Sequence, residues 1–246
     1  MKLALLILIC TLPPCHCRGA DLLVFAGAGL RPVLDSLIAA FETQAAVNVA
    51  VDYDGTGRLA AKIRTGHRPD VLVAASRKWA DILAAAGDVS EWAPLAGHSP
   101  ALVASAAHPA IHDFHEITNA GIRVAIGDPA ACAVGRSTTQ MLARAGIALA
   151  TLNVSARALT VVQLQHWVES GNVDAGFIWD CDAARAPGLA RIAAPPGSDV
   201  VDVICLCRLS RAPEPEIADS FIAYLRAKAP AAFHDYGYHN VTTEEP

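Results

Sequence analysis

The chain has 246 residues, 53% of them hydrophobic, with 24 acidic against 19 basic residues. That length accommodates one large α/β domain or two small ones. The mildly acidic balance, with no basic run or stripe, excludes the electrostatic footprint of a nucleic-acid binder, although an acidic protein still holds an anion where backbone amides and helix ends supply the local field.

The chain opens MKLALLILICTL, one lysine followed by an apolar run, then Pro-Pro and small residues up to Asp21. This layout predicts a secretory signal peptide over residues 1–19; the run is short for a bilayer span. A lipid anchor at Cys15 fits poorly because Pro14 precedes it. The mature chain is therefore expected in the periplasm and soluble. Three of the seven cysteines leave with the leader, and Cys132, Cys181, Cys205 and Cys207 remain.

After the leader, strands and helices alternate. DLLVFAGAGL reads as a strand ending in glycines, and RPVLDSLIAAFETQAA as a helix with Pro32 in its first turn and Val33, Leu37, Ala40 and Phe41 on one face. VNVAVDYDGTG is a second strand and turn, RLAAKIRTG a short helix closed by Gly66, PDVLVAAS a third strand and RKWADILAAAG a third helix. This βαβαβα order predicts a mostly parallel sheet. Beyond a loop rich in Pro, Gly and His come strands PALVASA and IRVAIGDP, a helix STTQMLARAGI, a helical end to VSARALTVVQLQHWVESG, and strands VDAGFIWD and VDVICLC. The last helix, PEIADSFIAYLRAKAPAAFHDYG, is expected to break at Pro230. Cys205 and Cys207 share one face of a strand-like run and read as small buried hydrophobes.

Catalytic signals are thin. AGAGL fails the dinucleotide fingerprint because Pro32 stands where its third glycine would be, and no Walker sequence, GxSxG elbow or HExxH occurs. His108, His112 and His115 would share a helix face and could hold a metal, but Pro109 argues against a helix there. Asp180 and Asp182 are two apart with nothing else to support glycosidase-like pairing. What recurs is a small-residue turn feeding a helix: AGAGL, DGTG and GDPAACAVGRS. Such turns bring backbone amides close to a ligand and add the positive end of a helix. Thr56, before RLAAKI, either caps that helix or donates to an anion. Arg136 either reaches the ligand or pairs with Asp128.

Five segments in order, VFAGAGLRPVLDSLIAAFE, VDYDGTGRLAAKIRTGHRPDVLVAASRKWAD, RVAIGDPAACAVGRSTTQMLARAG, VESGNVDAGFIWDCDAA and SFIAYLRAKAPAAFHDYGY, make the chain resemble the periplasmic molybdate- and tungstate-binding proteins of ABC importers over residues 21 to 238. The resemblance implies an α/β, two-lobed class II periplasmic-binding fold, each lobe a mostly parallel sheet flanked by helices, with residues 20–98 and 210–246 in one lobe and 99–209 in the other. It implies capture of a tetrahedral oxyanion by amides and small hydroxyls in the cleft, with no cofactor, no metal and no catalysis. The implied partners are the inorganic oxyanion and an inner-membrane permease, and the implied state is a monomer. The family's first serine falls on Gly29, beside Ala28. Its second-turn serine falls on Thr56, and its third-turn alanine on Ala75, beside Ser76. Cys132, Ala133, Val134, Gly135 and Arg136 match the amide-presenting loop, Val161 the valine that offers its amide, and Trp179 the place of a tyrosine. Gly29 lacks a hydroxyl and Trp179 offers an indole N–H instead of a phenol, so sulfate-like anions, chromate or arsenite are alternative ligands, and a sensor without a transport role, or behind it a hydrolytic enzyme, is an alternative to an importer component. Cys132 and Cys181, both placed near the cleft by the resemblance, are open to three states: separate thiols, a disulfide, or a soft-ligand pair.

Overall fold

The computed structural model describes residues 20–105 and 111–241. The expected leader over 1–19 and His108 of the histidine trio lie outside them. Two five-stranded sheets make two lobes. In the first, β1 (Leu22–Gly27) runs parallel to β2 (Val49–Asp54) and to β3 (Val71–Ala74), and the sheet is completed by β4 (Val89–His98) and by β10 (Asp202–Leu209), which lies antiparallel between β3 and β4. In the second, β6 (Val124–Gly127) runs parallel to β7 (Val154–Ala158) and β8 (Ala175–Trp179), while β5 (Pro100–Ser105) lies antiparallel to β8 and to β9 (Leu189–Ile192).

Both sheets are therefore mixed, where the sequence pattern predicts mostly parallel ones. The antiparallel member of each is the strand by which the chain enters from the other lobe. β5 follows β4 after a single residue, Ser99, and β10 returns after β9. This return also corrects a boundary: residues 202–209, expected in the second lobe, pair in the first sheet. A strand's own residues do not encode which sheet receives it.

Apolar runs become strands where both faces are covered: every residue of β3 and of β8 is buried. Helix α1 (Arg31–Ala45) buries Val33, Leu34, Leu37, Ile38 and Phe41 at helical spacing. It packs on α7 (Pro215–Asp235), where Phe41 meets Phe221 edge-on at 4.9 Å between ring centroids. Truncating a fully buried Phe such as this costs ~3–5 kcal/mol. Helix α7 continues through Pro230 instead of ending there. Leu225, Ala229 and Phe233 are buried on either side of the proline, and this continuous apolar face offsets the lost amide, a defect of about 3 kcal/mol.

All four cysteines of the described residues are free and buried, so the disulfide considered for Cys132 and Cys181 is not formed. Cys205 and Cys207 pack in the first lobe's core with Leu59, Leu72 and Leu83, as small hydrophobes do.

Candidate functional site

The carboxyl ends of the parallel strands in both sheets point at the boundary between the lobes, the place where open α/β sheets hold ligands. A cavity lies there. Its first-lobe wall is the turn Gly27–Leu30 after β1, then Asp54, Gly55 and Thr56 after β2, and Ala75 after β3. Its second-lobe wall is Cys132, Ala133 and Val134 at the start of α4 (Ala133–Arg144), Thr160 and Val161 at the start of α5 (Val161–Glu169), and Trp179 at the end of β8. The space open to the centre of a water-sized sphere is about 20 Å³, against the ~10–15 Å³ that one water needs. A space of this size fits one compact ion.

Each wall is made of helix starts. The first amides of α2 (Thr56–Arg64), α4 and α5 have no carbonyl partner within their own helices, and the aligned peptide dipoles make these ends positive. Gly57 N–H instead reaches Ala131 O across the lobe boundary at 3.1 Å. The Thr56 hydroxyl does not cap α2: its oxygen accepts the Ala75 N–H at 3.2 Å, which leaves its own proton to donate.

Close approach is possible because the first lobe presents glycines. A Cβ on Gly55 would fall 2.4 Å from Leu159 O and 2.7 Å from Ala131 O, and one on Gly57 2.4 Å from Ala130 O. At Gly29 a Cβ would sit 2.7 Å from Val161 Cγ1. The missing hydroxyl at position 29 and the valine that faces it are thus one complementary contact between the lobes.

The charged side chain of this wall is Asp54, and its charge is spent locally. One carboxylate oxygen accepts Gly55 N–H at 2.8 Å, and the other lies 3.3 Å from both Arg58 and Lys62. Burial pushes the Cys132 thiol up to about 11, against the Gly135 and Val134 amides that favour the thiolate, so it stays protonated at neutral pH. Burial likewise pushes Asp182 up to about 6, although Arg185 lies 2.9 Å from one oxygen. Its other oxygen has no partner among the described residues and would be 3.8 Å from a Cβ on Gly29.

The structure brings together Ala28, Gly29, Thr56, Ala75, Cys132, Ala133, Val134, Val161 and Trp179 from the sequence expectation. Three others lie elsewhere. Ser76 is fully buried beside the Asp202 carboxylate. Gly135 packs on Gly127, whose carbonyl oxygen would be 2.1 Å from a Cβ at 135, so its role is close packing and not the turn itself. Arg136 lines a separate cleft with Arg77, Lys78, Asp81 and Asp202, because two residues beyond Val134 the helix has turned its side chains away. Cys181 is also absent from the cavity wall and packs near Gly237 and Tyr238, so the two cysteines do not form a soft-ligand pair there. Among the described residues no His/Cys/Asp/Glu cluster could hold a metal. Asp180 contacts His239 at 2.5 Å and accepts Ser99 N–H, which makes it an interlobe fastener instead of half of a carboxylate pair.

Sequence reasoning named the AGAGL and DGTG turns but not Gly27, Leu30, Asp54 or Gly55 individually as wall residues, and it missed Thr160. Thr160 carried a signal: it is the N-cap in a Thr-Val-Val-Gln sequence, with its hydroxyl accepting Gln163 N–H at 3.3 Å, while Gln163 Oε1 accepts the N–H of the preceding Leu159 at 2.9 Å.

Residues 22–239 match the model of the bacterial extracellular solute-binding proteins. The chain belongs to this family. As a bacterial extracellular solute-binding protein it works outside the cytoplasm and binds a solute. It is 29% identical over 223 residues to the molybdate-binding protein ModA of Mycobacterium tuberculosis, covering 86% of this chain and 82% of that one. It is also 29% identical over 164 residues to a binding protein of Haemophilus influenzae, covering 65% of this chain and 66% of that one, so that match spans just under two thirds of the relative. Among solved structures, the periplasmic molybdate-binding protein of Azotobacter vinelandii superposes with a TM-score of 0.78 at 23% identity, covering 90% of this chain and all of that one. The sulfate-binding protein SubI of M. tuberculosis superposes at 0.77 and 17% identity, covering 89% and 86%. These likenesses establish the class II periplasmic-binding architecture for this member of the family.

Proposed function

We propose that this solute-binding protein captures one tetrahedral oxyanion per chain, molybdate or tungstate foremost, in the interlobe cavity and delivers it to the permease of an ABC importer, acting as a monomer. The observation that carries this reading is the convergence of helix starts from both lobes on a space sized for one compact ion. Amides and dipoles aimed at one point hold an anion without a lysine, an arginine or a metal. Thr56, with its free hydroxyl proton, and the Trp179 indole N–H add side-chain donors. The names of the similar proteins, molybdate binders by sequence and molybdate and sulfate binders by shape, support the ligand class.

Each lobe supplies only part of the donor set, so ligand binding draws the lobes together about the two crossings, at Ser99 and between β9 and β10. Calorimetry with molybdate, tungstate, sulfate, chromate, phosphate and arsenite tests the reading. One site per chain with preference for molybdate or tungstate is expected; no heat from any of the panel would sink it.

A further inference from the structure

His98 ends β4 and is fully buried behind the cavity without lining it. Its Nε2 lies 3.0 Å from the carbonyl oxygen of Ala75. A carbonyl oxygen only accepts, so Nε2 must carry the proton. The Nδ1 atom is buried and has no partner among the described residues. The ring stacks on Trp179, with centroids 3.4 Å apart and planes within 12°.

These two contacts lead to opposite walls of the cavity. Ala75 is held by His98 at its carbonyl and by Thr56 Oγ1 at its amide, 3.2 Å away. The backbone at Ala75, held on both sides of its Cα, therefore decides which way the Thr56 oxygen turns its lone pair, and so where its remaining proton points. Trp179 comes from the second lobe, and its Cδ1, next to the indole nitrogen, would be 4.0 Å from a Cβ on Gly29. The stack fixes the plane of that indole, and thereby the direction of its N–H.

We propose that His98 is the positioning residue of the cavity, setting one donor on each lobe: Thr56 through the Ala75 backbone, and Trp179 through the ring stack. This rests on the oxyanion reading of the same cavity. Burial pushes the imidazole down to about 3, with Asp180 opposing and His239 adding to the shift, so a single tautomer persists at neutral pH.

The two arms separate by substitution. His98→Phe keeps a ring for Trp179 and removes the bond to Ala75. His98→Gln keeps a donor at the reach of Nε2 and removes the ring. Molybdate affinity, measured by calorimetry, is expected to fall about ten-fold in each. The loss in His98→Phe should vanish in a Thr56→Val background, and the loss in His98→Gln should vanish in a Trp179→Phe background. A merely structural histidine would lower the melting temperature of each single variant and give losses that add in both backgrounds; additive losses, or unchanged affinity, overturn the proposal. Nitrogen-detected NMR of the wild type reads the tautomer without any variant, and a proton on Nδ1 also overturns it. If the wild type itself fails to bind molybdate and the other oxyanions, the functional reading falls and this proposal with it, whereas binding that is indifferent to His98 overturns the proposal alone.

Discussion

Two spaces open between the lobes, and they hold charge in opposite ways. The cavity at the strand ends is about 20 Å³ and is walled by helix starts, small residues and an indole. The cleft on another face of α4's first turns is about 550 Å³ and is walled by Arg77, Lys78 and Arg136 with Asp81 and Asp202. The cleft has the formal charge, yet its cations already have anions beside them: Arg77 lies 3.5 Å from Asp81, and Arg136 shares the cleft with Asp202, whose carboxyl burial pushes up although Arg136 opposes the shift. An exposed pair such as Arg77 with Asp81 contributes little. The cavity has almost no net charge but presents fixed dipoles among buried, close-packed residues, where they act at lower dielectric than in bulk water. For a fully charged small anion, orientation and desolvation count for more than the number of arginines.

That contrast can be broken most forcefully at the glycines that let the lobes meet. Gly55 has φ −60°, which any residue adopts, so Gly55→Ala should fold normally while its Cβ meets the Leu159 and Ala131 carbonyls. Oxyanion affinity should fall about 100-fold, ~2.7 kcal/mol. Calorimetry checks the loss, and small-angle scattering should show a radius of gyration that no longer shrinks with ligand.

Titration of the groups behind the cavity gives the next effect. His98 is depressed to about 3 from an ordinary 6.5, mainly by burial. Between those values the unfolded chain binds a proton that the folded chain refuses, so this contribution is fully present above pH 6.5 and is lost as pH falls toward 3. Asp182, raised from 3.8 to about 6 by burial, acts in the opposite sense: its folded form holds the extra proton, so its contribution declines as pH rises from about 4 to 6. Urea midpoints measured across pH 3–7 should fall with acid in the wild type, and His98→Gln should flatten the curve by up to roughly 4 kcal/mol. An equally steep curve in the variant would place the acid sensitivity elsewhere.

Removing a single donor is milder. Thr56→Val keeps the shape and deletes the hydroxyl, and should weaken molybdate about ten-fold, ~1.4 kcal/mol. The cleft supplies the smallest effect and the control for all the others. Arg136→Ala should change affinity by no more than about two-fold at physiological salt. A loss as large as that of Thr56→Val would return the cleft to the site. The thiols sharpen the same point: under native conditions none of the four cysteines should react rapidly with a thiol reagent, and reductant should leave the melting temperature unchanged.

The sequence made the cavity legible where local chemistry dictates geometry. AGAGL, DGTG and ACAV were readable as helix starts because small residues must stand where chain and ligand come close. Arg136 was misread because a charge two residues along looks relevant until the helix turns it into another space. His98 carried no local signal: its importance lies in Ala75 and Trp179, distant in sequence and brought to it by two different sheets. In the fold, β4 was hidden by Pro94, Gly97 and a loop-like composition, and β9 by its four-residue length. The place of β10 in the first sheet is a fact of topology that neither periodicity nor propensity encodes.

The most direct test is anomalous diffraction from crystals grown with tungstate. The account predicts one tungsten peak per chain in the interlobe cavity, between Thr56 and Val161, with helix-start amides of both lobes within hydrogen-bond distance of its oxygens. A peak confined to the cleft beside Arg136, or no peak at all, would contradict it.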